Sequence, residues 1–260
     1  MLYLIHSSKT MRPTTDKRLN MSQPDFIHKS VELASYLKGL NISQLKKVMK
    51  VSDKLASEIQ HTFSEWSTDS ENTGLAVLSF RGDVYSGLQV DDFSIEDFEY
   101  ANDKLRIVSG LYGILRPLDG VSPYRVEMGY RFDKTPYNNL YNFWSNELAN
   151  TLSKDELIIN LTSDEYGRAV LPYISKERII TPHFLTYSKT KEEYSNVAVH
   201  SKIARGAFAN WLIKSRIDNK SELPKFSSLG YRYSDKLSTE NNPVFVCDVF
   251  GGKGLSVRLK

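Results

Sequence analysis

The chain has 260 residues, of which 40% are hydrophobic, 12% aromatic and 25% charged, a balance that excludes a disordered polymer with too little apolar surface to build a core. Its longest apolar runs, near 74–80 and 244–247, fall far short of the roughly 20 residues a membrane-spanning helix requires, so no membrane partner is expected. A net charge of +3 neither demands nor excludes nucleic acid, while a lone cysteine, Cys247, and an amino terminus without a secretory pattern give the expectation of a cytoplasmic protein.

In chain order, Tyr3–Ile5 reads as a short buried strand, followed by a polar loop over 7–23. Asp25 is placed to cap a helix whose apolar positions Ile27, Val31, Ala34 and Leu37 recur every three or four residues. Ser43 is expected to cap a second helix over 44–49, and Ser52 a third carrying Leu55, Ile59 and Phe63. The run Leu75–Phe80 between Gly74 and Gly82 reads as a buried strand, and Ser94 with Asp97 as a capping box opening a helix to about Asn102.

Leu105–Ser109 is the next strand. From Gly110 to Arg131, glycine and proline are too frequent for a regular element and apolar residues too frequent for a linker, which predicts an ordered, packed loop. Leu140, Trp144, Leu148 and Leu152 predict one helix, Leu157–Leu161 a strand, and Thr162–Glu165 a second capping box. Strands are expected at 179–181, 184–187 and 196–200, a helix over about 201–217, a last strand at Pro243–Cys247 and a flexible glycine-rich tail from Gly251. Strands and helices do not alternate regularly enough for a doubly wound sheet. The expected class is mixed α/β of the α+β kind, in a single domain over residues 1–260, since neither repeat nor linker is evident.

Two stretches, with scattered residues around them, carry chemistry. Between Leu105 and Arg131, Arg106, Arg116, Arg125 and Arg131 supply planar donors suited to phosphate or carboxylate, and Tyr112, Tyr124 and Tyr130 can stack on bases or pack. A packed loop whose arginines pair with Asp119 and Glu127 fits the same residues, and both readings stand at this point. The stretch Leu45–Ala56 follows the layout of a helix-hairpin-helix over about 43–65, with Leu45, Val48, Val51 and Ala56 at its apolar positions. Lys50 and Ser52 stand where that element usually has glycine. Lys46, Lys47, Lys50 and Lys54 outnumber Asp53 there, so the segment suits phosphate backbone, or simply a solvated helix face. Around these, Lys9, Thr10, Arg81, Tyr85 and Ser86 are candidates for an anion-binding cleft. Arg205 is a candidate near a helix amino end, and Asp164 and Glu165 are acid/base candidates.

Phosphate-loop, dinucleotide, nucleophile-elbow and zinc-protease patterns are missing, and the five histidines are scattered, so no cofactor and no metal are expected and no catalytic residue can be named. Cys247 stands beside Asp248, which raises a thiol's pKa and argues against a peroxidatic role.

Taken together, Lys9-Thr10, Leu45–Ala56, Phe80–Gln89, Leu105–Gly129, Ile159–Tyr166, Ala204–Gly206 and Gly230-Tyr231 resemble the YaaA peroxide-stress protein family over nearly the whole chain. Where that family usually has Ser-Pro-Ala before Lys-Thr, this chain has His6-Ser7-Ser8. The resemblance implies a cytoplasmic protein that limits free intracellular iron under peroxide stress, with a helix-hairpin-helix and a positively charged cleft that bind DNA with weak sequence specificity. Phosphate contacts would come from Lys46, Lys47, Lys50, Lys54, Arg81, Arg106, Arg116, Arg125 and Arg205. The rival reading is an enzyme acting on a small phosphorylated or nucleotide-like metabolite, with Lys9, Arg116, Arg125 and Arg205 as anion ligands.

Overall fold

Five apolar residues in succession, Met1–Ile5, leave no face of their segment for water, and such a segment is stable as an interior strand. In a computed structural model, which describes residues 1–68, 71–132 and 137–255, that segment lies in β1 (Leu2–His6), the middle strand of a five-stranded sheet. After β2 (Thr10–Met11) come the helices α1 (Ile27–Lys38), α2 (Ile42–Met49) and α3 (Asp53–Glu65). Then follow β3 (Gly74–Leu75), α4 (Ala76–Ser79), β4 (Phe80–Arg81), α5 (Asp83–Leu88), α6 (Ile95–Lys104), β5 (Leu105–Ser109), β6 (Gly113–Leu115) and β7 (Gly120–Val121). The second half contributes α7 (Leu140–Trp144), α8 (Glu147–Asn150), β8 (Ile158–Asn160), α9 (Asp164–Gly167), β9 (Ile179–Ile180), β10 (His183–Ser188), β11 (Glu193–Ser195), α10 (Ala198–Lys214), β12 (Tyr231–Tyr233) and β13 (Val244–Cys247).

The fold is mixed α/β. The larger sheet has the order β6-β5-β1-β8-β9, with β5, β1, β8 and β9 parallel and β6 antiparallel at the edge. Tyr3 lies opposite Leu105 on one side and Ile159 on the other. The chain leaves β1 toward β5 on one flank and reaches β8 on the opposite flank. The carboxyl ends of these parallel strands therefore open a crevice where the connections diverge, the usual position of a ligand site in such sheets. A second sheet, β11-β10-β13-β12, packs Phe184 and Phe245 face to face with centroids 5.5 Å apart.

Several expectations need correction. Leu75–Phe80 is not one strand, because Ala76–Ser79 form a helical turn whose first amides donate to Asp119 O (2.9 Å) and Pro117 O (3.0 Å). A short apolar run reports burial without fixing the backbone. Downstream of it, Asp83–Leu88 are helical and mostly buried. The expected strand at 196–200 is also replaced: Glu193–Ser195 pair with β10, and α10 already begins at Ala198. The helix through Leu140 and Leu152 is broken into α7 and α8 at Ser145, whose φ is 46°.

The caps shift as well. Asn41, not Ser43, caps α2 in a capping box with Gln44, and Asp25 pairs with Arg116 (3.2 Å) instead of capping α1. Ser52 and Ser94 cap α3 and α6 as expected. The glycine-rich tail starts by docking, with Gly251 N–H on Leu229 O at 2.9 Å.

Candidate functional site

A cleft of about 470 Å3 opens where the loops after β1 and β8 meet α5 and α10. Its walls carry His6, Ser7, Lys9 and Thr10 from the first loop, Arg81–Tyr85 from β4 and α5, Glu127, Ser163–Tyr166 from α9, and Lys202 from α10. Lys9, Arg81 and Lys202 face four carboxylates here, those of Asp83, Glu127, Asp164 and Glu165. The lining is mixed in sign, which departs from the expectation of a cleft walled by cations.

His6 closes the end of β1. Its Nδ1 accepts the Ser163 N–H (3.3 Å), so the ring's proton resides on Nε2, and the ring stacks on Tyr166 with centroids 4.8 Å apart. Burial, then the charges of Arg205 and Lys202, push its pKa down to about 3, so the imidazole is neutral and serves as a hydrogen-bond donor at neutral pH. Tyr85 Oη donates to the His6 carbonyl (3.1 Å). Ser7, itself buried, hydrogen-bonds both Tyr124 and Tyr166. The loop after β1 is thus pinned from three elements, an arrangement that fixes polar groups with little freedom left to lose on binding.

Lys202 lines this site, and Arg205, one turn further on, lies near His6 and Asp164 without lining the cleft, because α10 crosses α5 with almost no separation. A Cβ at Gly206 would lie 1.9 Å from Val84 O, and one at Gly87 would lie 2.0 Å from Ile203 O. Only glycine permits that approach. Asn210 Nδ2 locks the crossing by donating to Leu88 O at 2.8 Å. Arg205 lies at the third turn of α10 and not, as the sequence suggested, in its first. Burial lowers its pKa, opposed by the charge of Asp164.

The structure brings Lys9, Thr10, Arg81 and Tyr85 of the predicted residues to the cleft wall, whereas Ser86 lines a neighbouring depression with Gln89 and Asp91. Lys46, Lys47, Lys50, Lys54, Arg106 and Arg116 do not line it. Arg106 caps the end of α6 through Asn102 O (3.0 Å) and Leu105 O (2.8 Å). Arg116 bonds Asp119, Gln23 O and Asp25. Arg125 reaches Lys9 O (3.4 Å) and Glu127 (3.8 Å), while its buried Nε has no partner among the described residues. Arg81 holds Leu78 O (2.5 Å) and Thr14 (3.1 Å).

Tyr112 and Tyr124 are buried: Tyr112 Oη accepts from Trp66 Nε1 (3.1 Å) and Ser122 N–H (3.0 Å), and Tyr124 Oη pairs with Ser109 Oγ (2.6 Å). Glu165 does not close a capping box. Its Oε1 accepts the Gly129 N–H (2.8 Å), tying the loop of residues 124–130 to α9 and leaving Asp164 the freer carboxylate. Sequence reasoning missed His6 and Lys202 as site residues. The available signals were a polar residue ending a wholly apolar strand and a lysine three positions before Arg205.

The predicted hairpin is a separate feature. Helices α2 and α3 pack together through Leu45, Met49, Ala56 and Ile59, joined by Lys50, Val51 and Ser52. Lys50 adopts the left-handed conformation (φ 52°) at the position where glycine was expected. Lys46, Lys47, Lys50 and Lys54 are exposed, and Lys46 pairs with Asp53 at 2.9 Å.

Among the described residues no helix is long and apolar enough to cross a membrane, and no cluster of metal-binding side chains is found. Comparison with known sequences gives a match of residues 1–237 to a family model described as "Peroxide stress protein YaaA". Proteins designated UPF0246 are similar across essentially their full length. One from Salinispora tropica is 45% identical (99% of this chain, 98% of the relative), and one from Clostridium beijerinckii is 36% identical (96% and 98%). Another, from Aliivibrio fischeri, is 39% identical (94% and 97%). With a family model spanning most of its length and relatives this similar end to end, the chain belongs to the YaaA peroxide stress protein family.

Proposed function

We propose that this chain serves the peroxide-stress response as a DNA-binding protein that grips phosphate backbone through the α2–α3 hairpin and thereby helps to keep free intracellular iron low. The family's description as a peroxide stress protein supports the setting. The observation that carries the DNA reading is the exposed quartet Lys46, Lys47, Lys50 and Lys54 around a three-residue turn. That turn leads into α3, whose first-turn N–H groups lack intrahelical acceptors and attract phosphate.

Contacts of this kind position a duplex without reading bases, so binding is weakly sequence-specific. Neutralising about four phosphates gives a log–log salt slope near −3.6 in fluorescence anisotropy with duplex DNA. Replacing Lys46, Lys47 and Lys50 by glutamate is expected to abolish binding at 100 mM salt. Retention of wild-type affinity and slope in that variant would sink the DNA reading. Iron is tested separately, by whole-cell electron paramagnetic resonance of chelatable iron in a strain lacking the protein and complemented with either form.

A second reading is supported by the cleft itself, which lies at the carboxyl ends of parallel strands and has the size of a small-molecule site. Here the chain binds a small phosphorylated metabolite, with Asp164 as the acid/base group of any reaction. Duplex DNA does not fit a space of about 470 Å3, so the two readings concern different surfaces.

A further inference from the structure

Two cations, Lys202 in the wall of that cleft and Arg205 behind it, stand out by what they lack. Lys202 and Arg205 are one turn apart on α10, where like charges repel, and neither side chain forms an ion pair or hydrogen bond among the described residues. Asp164 acts on Arg205 through space only, beyond ion-pair distance. Two other half-buried arginines are satisfied, Arg106 by two carbonyls and Arg116 by Asp119, Gln23 and Asp25. Two cations without a side-chain partner near a neutral imidazole, held there by a glycine-only helix crossing, keep their donors available to an anionic ligand.

We infer that Lys202, Arg205 and His6 form an oxyanion subsite for the phosphate of a hydroxyl-rich phosphorylated metabolite, such as a sugar phosphate or mononucleotide, whose body lies against Glu127 and Asp164. The inference rests on the small-ligand reading of the cleft and assigns its polarity. An ammonium, a guanidinium fork and an imidazole N–H together offer more donors than a carboxylate's two oxygens use, which suits the three free oxygens of a phosphate monoester. The carboxylates of Glu127 and Asp164 in the same wall can accept hydrogen bonds from hydroxyls and would repel a second anionic group. His6 contributes as a donor because its Nδ1 is occupied by Ser163 N–H.

The test is isothermal titration of the full chain with four probes: ribose 5-phosphate, AMP, inorganic phosphate and adenosine. Ribose 5-phosphate or AMP is expected to bind most tightly, inorganic phosphate weakly and adenosine not detectably. Lys202→Gln and Arg205→Gln should each weaken the best probe by about tenfold or more, the loss of one charge-assisted hydrogen bond. Arg205→Lys should recover part of it. Lys202 is partly exposed, so its variant reports even if Arg205→Gln folds poorly. If one of the phosphorylated probes binds but both glutamine variants bind it as well as wild type, the subsite is wrong and the cleft reading survives. If no probe binds the wild-type chain, both are wrong.

Discussion

Burial first, then the positive charges of Arg205 and Lys202, hold His6 neutral in the folded state down to about pH 3, whereas an unperturbed histidine titrates near 6.5. Between those values the unfolded chain binds a proton that the folded chain refuses. The stability present above 6.5 therefore falls as the pH drops, by at most about 1.4 kcal/mol per unit. His6→Gln retains a group able to accept the Ser163 N–H but does not titrate. Urea denaturation at pH 7, 5 and 4 should show the gap between wild type and variant shrinking with acid, and a constant gap would mean that the folded imidazole takes up its proton as readily as the unfolded one. The sequence shows His6 at the end of an apolar strand. What it does not show is the stacking on Tyr166, which lies in α9 after the neighbouring strand β8 and is joined to His6 only by tertiary structure.

At the scale of elements, the crossing of α5 and α10 is the contact most sensitive to a single atom. Gly206→Ala places a methyl group 1.9 Å from Val84 O, where only backbone separation can relieve it. A loss of about 3 kcal/mol is expected, at the upper end for overpacking. Because separation carries Lys202 and Arg205 away from the cleft, any metabolite binding should be lost with it. Ser52→Ala removes the side chain that accepts the Leu55 N–H (3.3 Å) and should cost about 1 kcal/mol. That loss should be accompanied by weaker DNA binding if the first turn of α3 meets phosphate. Denaturation and anisotropy measured on the same sample separate the two effects.

The serine caps of α3 and α6 were readable because capping is a local contest among a few neighbouring atoms. The turn Ala76–Ser79 was not, since its conformation answers to carbonyls of Pro117 and Asp119 some forty residues away. The break at Ser145 was hidden for another reason: two short helices on either side of it present apolar residues at the spacing of one longer helix.

For the molecule as a whole, membership in a peroxide-stress family raises the question of whether it meets peroxide with its own thiol. The geometry argues that it does not. Cys247 lies in β13, fully buried in the second sheet, with Sγ directed at Leu229 O (3.7 Å). Burial, and then Asp248, raise its pKa, so the thiolate that would attack peroxide is scarce. As the chain's lone cysteine it also has no internal partner with which to resolve a sulfenic acid. The folded protein should accordingly react with Ellman's reagent only as fast as it opens, and quickly once denatured in urea. Cys247→Ser should leave protection against peroxide intact in a complemented strain. Rapid labelling of the folded chain, together with loss of protection in that variant, would instead place the chemistry of the stress response on this sulfur and not on the charged surfaces of α2, α3 and α10.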